Sequence, residues 1–217
     1  MRASMHLGRL HSAAQYRIIR LTRSFQSLTR LPNPEQGQKL AYIAIELDNL
    51  NICTLREFTI STIRGAKTVS GQKISVSQNL GPEDEIAAYM LSVTNSVKYR
   101  NLRSPARITR KDEQAIRDPK EIEKILIHCN ASNLQSLQSA LALNSSMFRD
   151  LKFLRHFYAH RNVDTLSKAY QNAAASLGFF NPSHPDDILL HVVPGKTTPV
   201  IEEWLAEAQI FYDLLMQ

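Results

Sequence analysis

The chain has 217 residues, 43% hydrophobic and 21% charged, an ordinary composition for a globular protein with room for one sizeable core. Only 7 glycines are present, which disfavours an all-β plan full of tight turns, and no apolar run is long enough to predict a membrane-spanning helix. Cys53 and Cys129 lie far apart outside any C-x-x-C pattern, which fits a reduced, cytoplasmic protein and gives no cysteine-built metal site; neither metal nor cofactor is expected.

The net charge of +6 is unevenly spread. Arg2, Arg9, Arg17, Arg20, Arg23 and Arg30 precede the first acid, Glu35, and Lys98, Arg100, Arg103, Arg107, Arg110 and Lys111 form a second acid-free block. Such stretches attract phosphates through counterion release without reading sequence, although a charge run is also what a solvated face looks like. The first 34 residues share their Arg- and Ser-rich profile with mitochondrial transit peptides. Against that reading stands the helical spacing from Met5 to Leu31 (Leu7, Leu10, Ala14, Ile18, Leu21, Phe25, Leu28) and its direct passage through Pro32-Asn33-Pro34 into the next element. This predicts a basic first helix, residues 1–31, packed on the rest of one domain spanning 1–217.

The second element runs from Pro34 to about Arg64, with Leu40, Ile43, Leu47, Leu50, Leu55, Phe58 and Ile63 at amphipathic spacing. Gly65, Gly71 and Gly81 bracket a polar stretch, Ala66–Asn79, whose alternation predicts a short β-hairpin or a loop. Pro82 followed by Glu83, Asp84 and Glu85 starts a helix carrying Ile86, Met90, Val93 and Val97. The block from Lys98 to Lys111, broken by Pro105, reads as a loop. Helices follow from about Pro119, through Leu134 to Leu143, from Ser145 to Asn162, and from Val163 to Leu177 after a break. Residues 178–185 are turn-rich and Asp187–Val193 is a brief apolar run. Pro199–Met216 closes the chain as an amphipathic helix. The expectation is an all-α antiparallel bundle of about seven or eight helices.

Two of the seven histidines fall in one window, Leu154-Arg155-His156-Phe157-Tyr158-Ala159-His160-Arg161-Asn162. His156 and His160 share a helix face, whereas Arg155 and His160 are roughly 140° apart around an ideal helix. Their convergence would take a long reach by Arg155, a distorted helix, or a site shared between two chains. A purely structural alternative pairs Arg155 with Asp150 or Asp164 and makes His160 a helix-end histidine. Phe153, Phe157 and Tyr158 read as core rather than as stacking platforms.

An Arg, a polar residue, three more residues and a His, set in an apolar helix with aromatics before the His, resemble the signature of HEPN domains. The resemblance covers about ten residues strongly and the helical plan of 34–217 loosely. It implies a helical bundle that dimerises with two motifs facing one cleft. It also implies a metal-independent endoribonuclease, a toxin or antiviral defence effector of the kind that an antitoxin or regulatory protein accompanies. In that scheme His160 is the acid/base, Arg155 stabilises the phosphate and His156 is a second proton carrier or orienting group. Arg161, Asn162, Lys98, Arg100, Arg103, Arg107, Arg110 and Lys111 are the expected RNA-binding residues. Some family toxins carry a Tyr two positions after the motif His that a nucleotidyltransferase modifies; Asn162 stands there in this chain, so that control is not expected. The alternative function is a non-catalytic RNA- or nucleotide-binding and dimerisation module of a larger complex. No Gly-rich phosphate loop, Gly-x-Ser-x-Gly or His-Glu-x-x-His offers a rival site.

Overall fold

In the computed structural model, residues 5–217 are described except 79, 103–107, 109–111 and 114. Leu7–Gln26 forms α1 and, after a 3₁₀ turn at Leu28–Arg30, Asn33–Ile63 forms α2. Next come α3 (Glu83–Thr94), α4 (Ser96–Arg100), α5 (Pro119–His128) and α6 (Leu134–Leu141). The chain then forms α7 (Met147–His160) and α8 (Val163–Lys168), which runs on into a π turn at Ala169–Ala174. It ends with α9 (Pro185–Leu190) and α10 (Val200–Leu215). The fold is all-α, with no strand among the described residues.

The expected count of helices is corrected upward, for two local reasons. Asn95 accepts the Lys98 N–H with its side chain and so starts α4 afresh, leaving Val97 exposed rather than on the buried face of α3. The apolar run after residue 185 closes into α9 because Pro185 sits in its first turn and His184 and Asp187 form a reciprocal cap. Lys98 and Arg100 are therefore helical rather than in a loop. Arg103, Arg107, Arg110 and Lys111 lie outside the described residues.

The chain divides into two compact units. One comprises residues 1–14, 52–143 and 211–217. Its core gathers Leu55, Phe58, Ile60, Ile86, Ile122, Ile125 and Leu137, all fully buried. The stretch expected as a hairpin or loop makes only isolated bridges, Lys67 to His6 and to Lys73. Its backbone still ties both chain ends into this unit. Leu7 N–H donates to Lys67 O, Lys67 N–H to Met5 O and Val69 N–H to Met216 O, each at 2.8 Å. Gly71, at φ 89°, supplies the left-handed residue that the turn needs.

The same unit holds a charge cluster. Arg56, on α2, donates to Glu57 at 2.7 Å, Glu83 at 2.8 Å and Glu113 at 2.5 and 2.7 Å. The guanidinium is 13% exposed and Glu57 7%, so removing the arginine strands a buried carboxylate.

The second unit comprises residues 15–51 and 144–210. Ile18, Ile43, Leu47, Leu154, Ile188 and Trp204 are buried in it. The indole N–H of Trp204 donates to Ser146 Oγ at 3.0 Å, at the start of α7. Asp150, in the first turn of α7 and fully buried, accepts from Arg149 at 2.8 Å and from the Ser176 hydroxyl at 2.5 Å. Negative charge there also suits the positive end of the helix.

Replacing Arg56 with Ala is expected to cost about 3 kcal/mol, because the buried Glu57 loses its partner; the shift of the urea unfolding midpoint measures it.

Candidate active site

The C-terminal half of α7 is amphipathic. Leu151, Leu154, Phe157 and Tyr158 are buried, while His156, Ala159 and His160 are exposed. His156 and His160, one turn apart, place their ring centroids 4.5 Å from each other in an edge-on arrangement. The motif therefore presents two imidazoles side by side on the surface.

Arg155 is half-buried and turns to α2. Its Nε lies 3.7 Å from Oδ2 of Asp48, which is itself 4% exposed. This replaces both expected partners: Asp150 is taken by Arg149 and Ser176, and Asp164 pairs with Lys168 at 2.8 Å. The pair is longer than a hydrogen bond, so Asp48 fixes the arginine by charge without engaging its fork in bidentate pairing. Asp48 is the residue that sequence reasoning missed. An aspartate amid the apolar run of α2 was its only signal, since a buried acid needs a cationic or donor partner.

The helix ends at His160 because Arg161 adopts left-handed backbone, φ 47° and ψ 45°, with its N–H donating to Phe157 O at 2.7 Å. Asn162 then caps α8. Its Oδ1 accepts the Thr165 N–H at 2.9 Å, while Thr165 Oγ1 accepts the Asn162 N–H at 3.3 Å. Asn162 thus has a structural task at the position where an RNA contact was expected.

Arg161 opens into a cleft of about 400 Å³ whose walls include Pro34, Gly37, Gln38, Phe157, Tyr158, His184 and Asp186. The Tyr158 hydroxyl donates to Asp186 Oδ1 at 2.6 Å. Burial first, and then the Asp186 charge, push the Tyr158 phenol far above its ordinary range. At Gly37 a β-carbon would sit 2.8 Å from Asp186 Oδ2, so a larger residue there would displace that carboxylate. His184 meets Phe157 edge-on at 5.6 Å. Nothing in the motif window announced this cleft, since it draws on residues from three separate stretches of sequence.

Lys98 and Arg100 belong to the other compact unit. The Lys98 ammonium donates to the Asp112 carbonyl at 2.5 Å, and Arg100 Nε to Ser96 O at 3.3 Å. Of the expected set, the second unit thus holds Arg155, His156, His160, Arg161 and Asn162, while Arg103, Arg107, Arg110 and Lys111 lie outside the described residues. Among the described residues no group of three or more His, Cys, Asp or Glu side chains is placed to hold a metal ion.

Around His156 the electrostatics favour the neutral ring. Partial burial, and then the neighbouring His160, Lys168 and Arg155, lower its pKa, with Asp164 opposing. No protein-family model, no curated protein and no solved structure matches the chain.

With a folded-state pKa below the ordinary value, His156 resists protonation that the unfolded chain accepts. Its contribution to stability is therefore complete above the ordinary histidine pKa and is lost as pH falls from there through the lower folded-state pKa. Imidazole resonances followed by NMR should show His156 titrating lower than a free histidine, and His160→Ala should move that titration upward. An unchanged His156 titration in the variant would show that the two rings do not communicate.

Proposed function

We propose that this chain is an endoribonuclease that works without a metal ion, as a homodimer with its motifs at the interface. The role proposed for it is that of a cytoplasmic toxin or antiviral defence effector, restrained by an antitoxin or regulatory protein. The resemblance of residues 155–160 to the HEPN signature motivates this reading. The observation that carries it is the exposed His156–His160 pair, with Arg155 fixed beside it by a buried carboxylate.

The chemistry needs three things, and these residues supply them. A neutral imidazole at His160 takes the proton from a ribose 2′-OH, and that oxygen forms its bond to phosphorus. The bond from phosphorus to the 5′-oxygen breaks, and a protonated imidazole from a second copy of the motif gives its proton to the leaving oxygen, with His156 as a neutral orienting group beside it. Arg155 donates to the non-bridging oxygens as charge gathers on them. The products are a 2′,3′-cyclic phosphate and a 5′-hydroxyl. Because Arg155 and His160 leave α7 in different directions, two copies of α7 facing one RNA supply a fuller set than one copy does.

The cleft beside Arg161 favours a second reading, a non-catalytic module that binds RNA or a nucleotide. Its volume suits a nucleotide-sized ligand, and Arg161, His184 and Gln38 offer donors at its wall.

Labelled RNA incubated with the protein in EDTA should be cut to cyclic-phosphate ends, and a 2′-deoxy substrate should resist. Arg155→Ala and His160→Ala should each reduce the rate by about a hundredfold or more with the helical circular dichroism retained. Asp48→Asn should reduce it by about tenfold by releasing the arginine. Cleavage indifferent to both motif substitutions would overturn the assignment, and RNA binding without cleavage would establish the second reading. A monomer in light scattering would remove the shared site.

A further inference from the structure

Helix α1 contains no acidic residue. Tyr16, Ile19, Arg20 and Arg23 recur at offsets of three, four and seven, which places them on one face of that helix. All four are exposed, Tyr16 by 63% and Ile19 by 41%, while Ile18 and Leu21 on the other side are buried. The Arg20 guanidinium lies over the Tyr16 ring, 6.0 Å from its centroid. Tyr42 on α2, 49% exposed, borders a hollow of about 50 Å³ together with Arg17, Arg20 and Glu46. Arg17 is tied to Glu46 at 2.9 Å, so Glu46 offsets that arginine and leaves the positive field to Arg20 and Arg23.

This is an unusual use of surface. Two tyrosine rings stand in water beside guanidinium groups. Flat, exposed rings next to permanent cations suit a ligand that is itself flat and anionic. A bilayer is a poor match, because Leu7, Leu10, Ala14, Ile18 and Leu21 of α1 are already buried and leave no apolar stripe on this helix to enter lipid. An acidic protein would satisfy the arginines and leave the rings without stacking partners.

We propose that this face of α1, with Tyr42 of α2, binds single-stranded nucleic acid, bases stacking on Tyr16 and Tyr42 and phosphates pairing with Arg20 and Arg23. A duplex keeps its bases stacked on each other and would gain only the phosphate part. The proposal is independent of the motif on α7: it stands whether or not the chain cuts RNA.

The test is fluorescence anisotropy with a labelled oligouridylate of about 20 nucleotides, long enough for one stacking site. The protein carries His160→Ala, so that the probe stays whole. The parent should bind the single strand more tightly than a duplex of equal length. Combining Tyr16→Ala with Tyr42→Ala should weaken binding by about tenfold or more, whereas Phe at both positions should retain it, since stacking needs the ring and not the hydroxyl. Arg20→Gln with Arg23→Gln should lower the slope of log affinity against log salt by about 1.4, or about 0.7 per phosphate contact. Equal affinity of the alanine pair and the parent would overturn the proposal, as would a duplex bound as tightly as the strand. No binding at low salt would do the same. If the alanine pair turns a dimer into a monomer in light scattering, the face is a contact between copies and the proposal falls. Cleavage in EDTA by the unmodified protein is unaffected by any of these outcomes, so the two proposals fail separately.

Discussion

A polar group taken out of water must find a partner inside the protein, and α2 is where that constraint acts hardest. This helix of 31 residues is buried round most of its circumference after residue 40, yet it carries Asp48, Asn51, Thr54, Glu57, Thr59, Ser61 and Thr62 at 5% exposure or less. Each acid in that series dictates something nearby. Glu57 shares the Arg56 guanidinium, which also gathers Glu83, at the start of α3, and Glu113. Asp48 draws Arg155 inward from α7. Thr59 satisfies its hydroxyl on Leu55 O, and Thr62 accepts from the Asn133 amide. Leucine at these places would bury as well, but it would specify nothing about what lies opposite.

The candidate site inherits its electrostatics from this arrangement. Arg155 is held by one buried carboxylate, and the other charges acting on His156 are Lys168 and the opposing Asp164. Burial, and then the neighbouring His160, Lys168 and Arg155, disfavour a proton on His156. The reversal of backbone hand at Arg161 ends α7 directly after His160, so that the second imidazole stands at a helix terminus and not in mid-surface.

How much of this could be read in the sequence depended on range. The buried stripes of α1 and α10 and the long run of α2 follow from periodicity, because burial of one face leaves a repeat along the chain. The restart at Asn95 was legible in principle, as a side chain able to cap, but a single Asn between apolar residues does not stand out against a continuing repeat. The short α9 had a clearer sign in Pro185-Asp186-Asp187, acids following a first-turn proline, which the apolar run after them obscured. The Asp48–Arg155 pair and the cleft behind Arg161 were beyond reach, since both join residues distant in sequence. Periodicity says which side of a helix is inside, not what meets it there.

The basic residues show the same limit from the other direction. A count of arginines in the first 34 residues treats them alike, whereas the fold sorts them. Arg17 is spent on Glu46, Arg20 lies on a tyrosine ring, and Arg23 stands exposed further along the same helix. In the second block Lys98 is bound to a backbone carbonyl. A positive stretch becomes a surface for a polyanion only where the helix phase lines up cations that the protein's own carboxylates leave available. Phase also decides whether aromatic rings share that line, and with it whether the surface holds phosphates alone or bases too. Along α1 the repeat that buries Ile18 and Leu21 is the same repeat that sets Tyr16, Arg20 and Arg23 outside in register. The buried apolar side and the exposed cationic and aromatic side are there two readings of one periodicity.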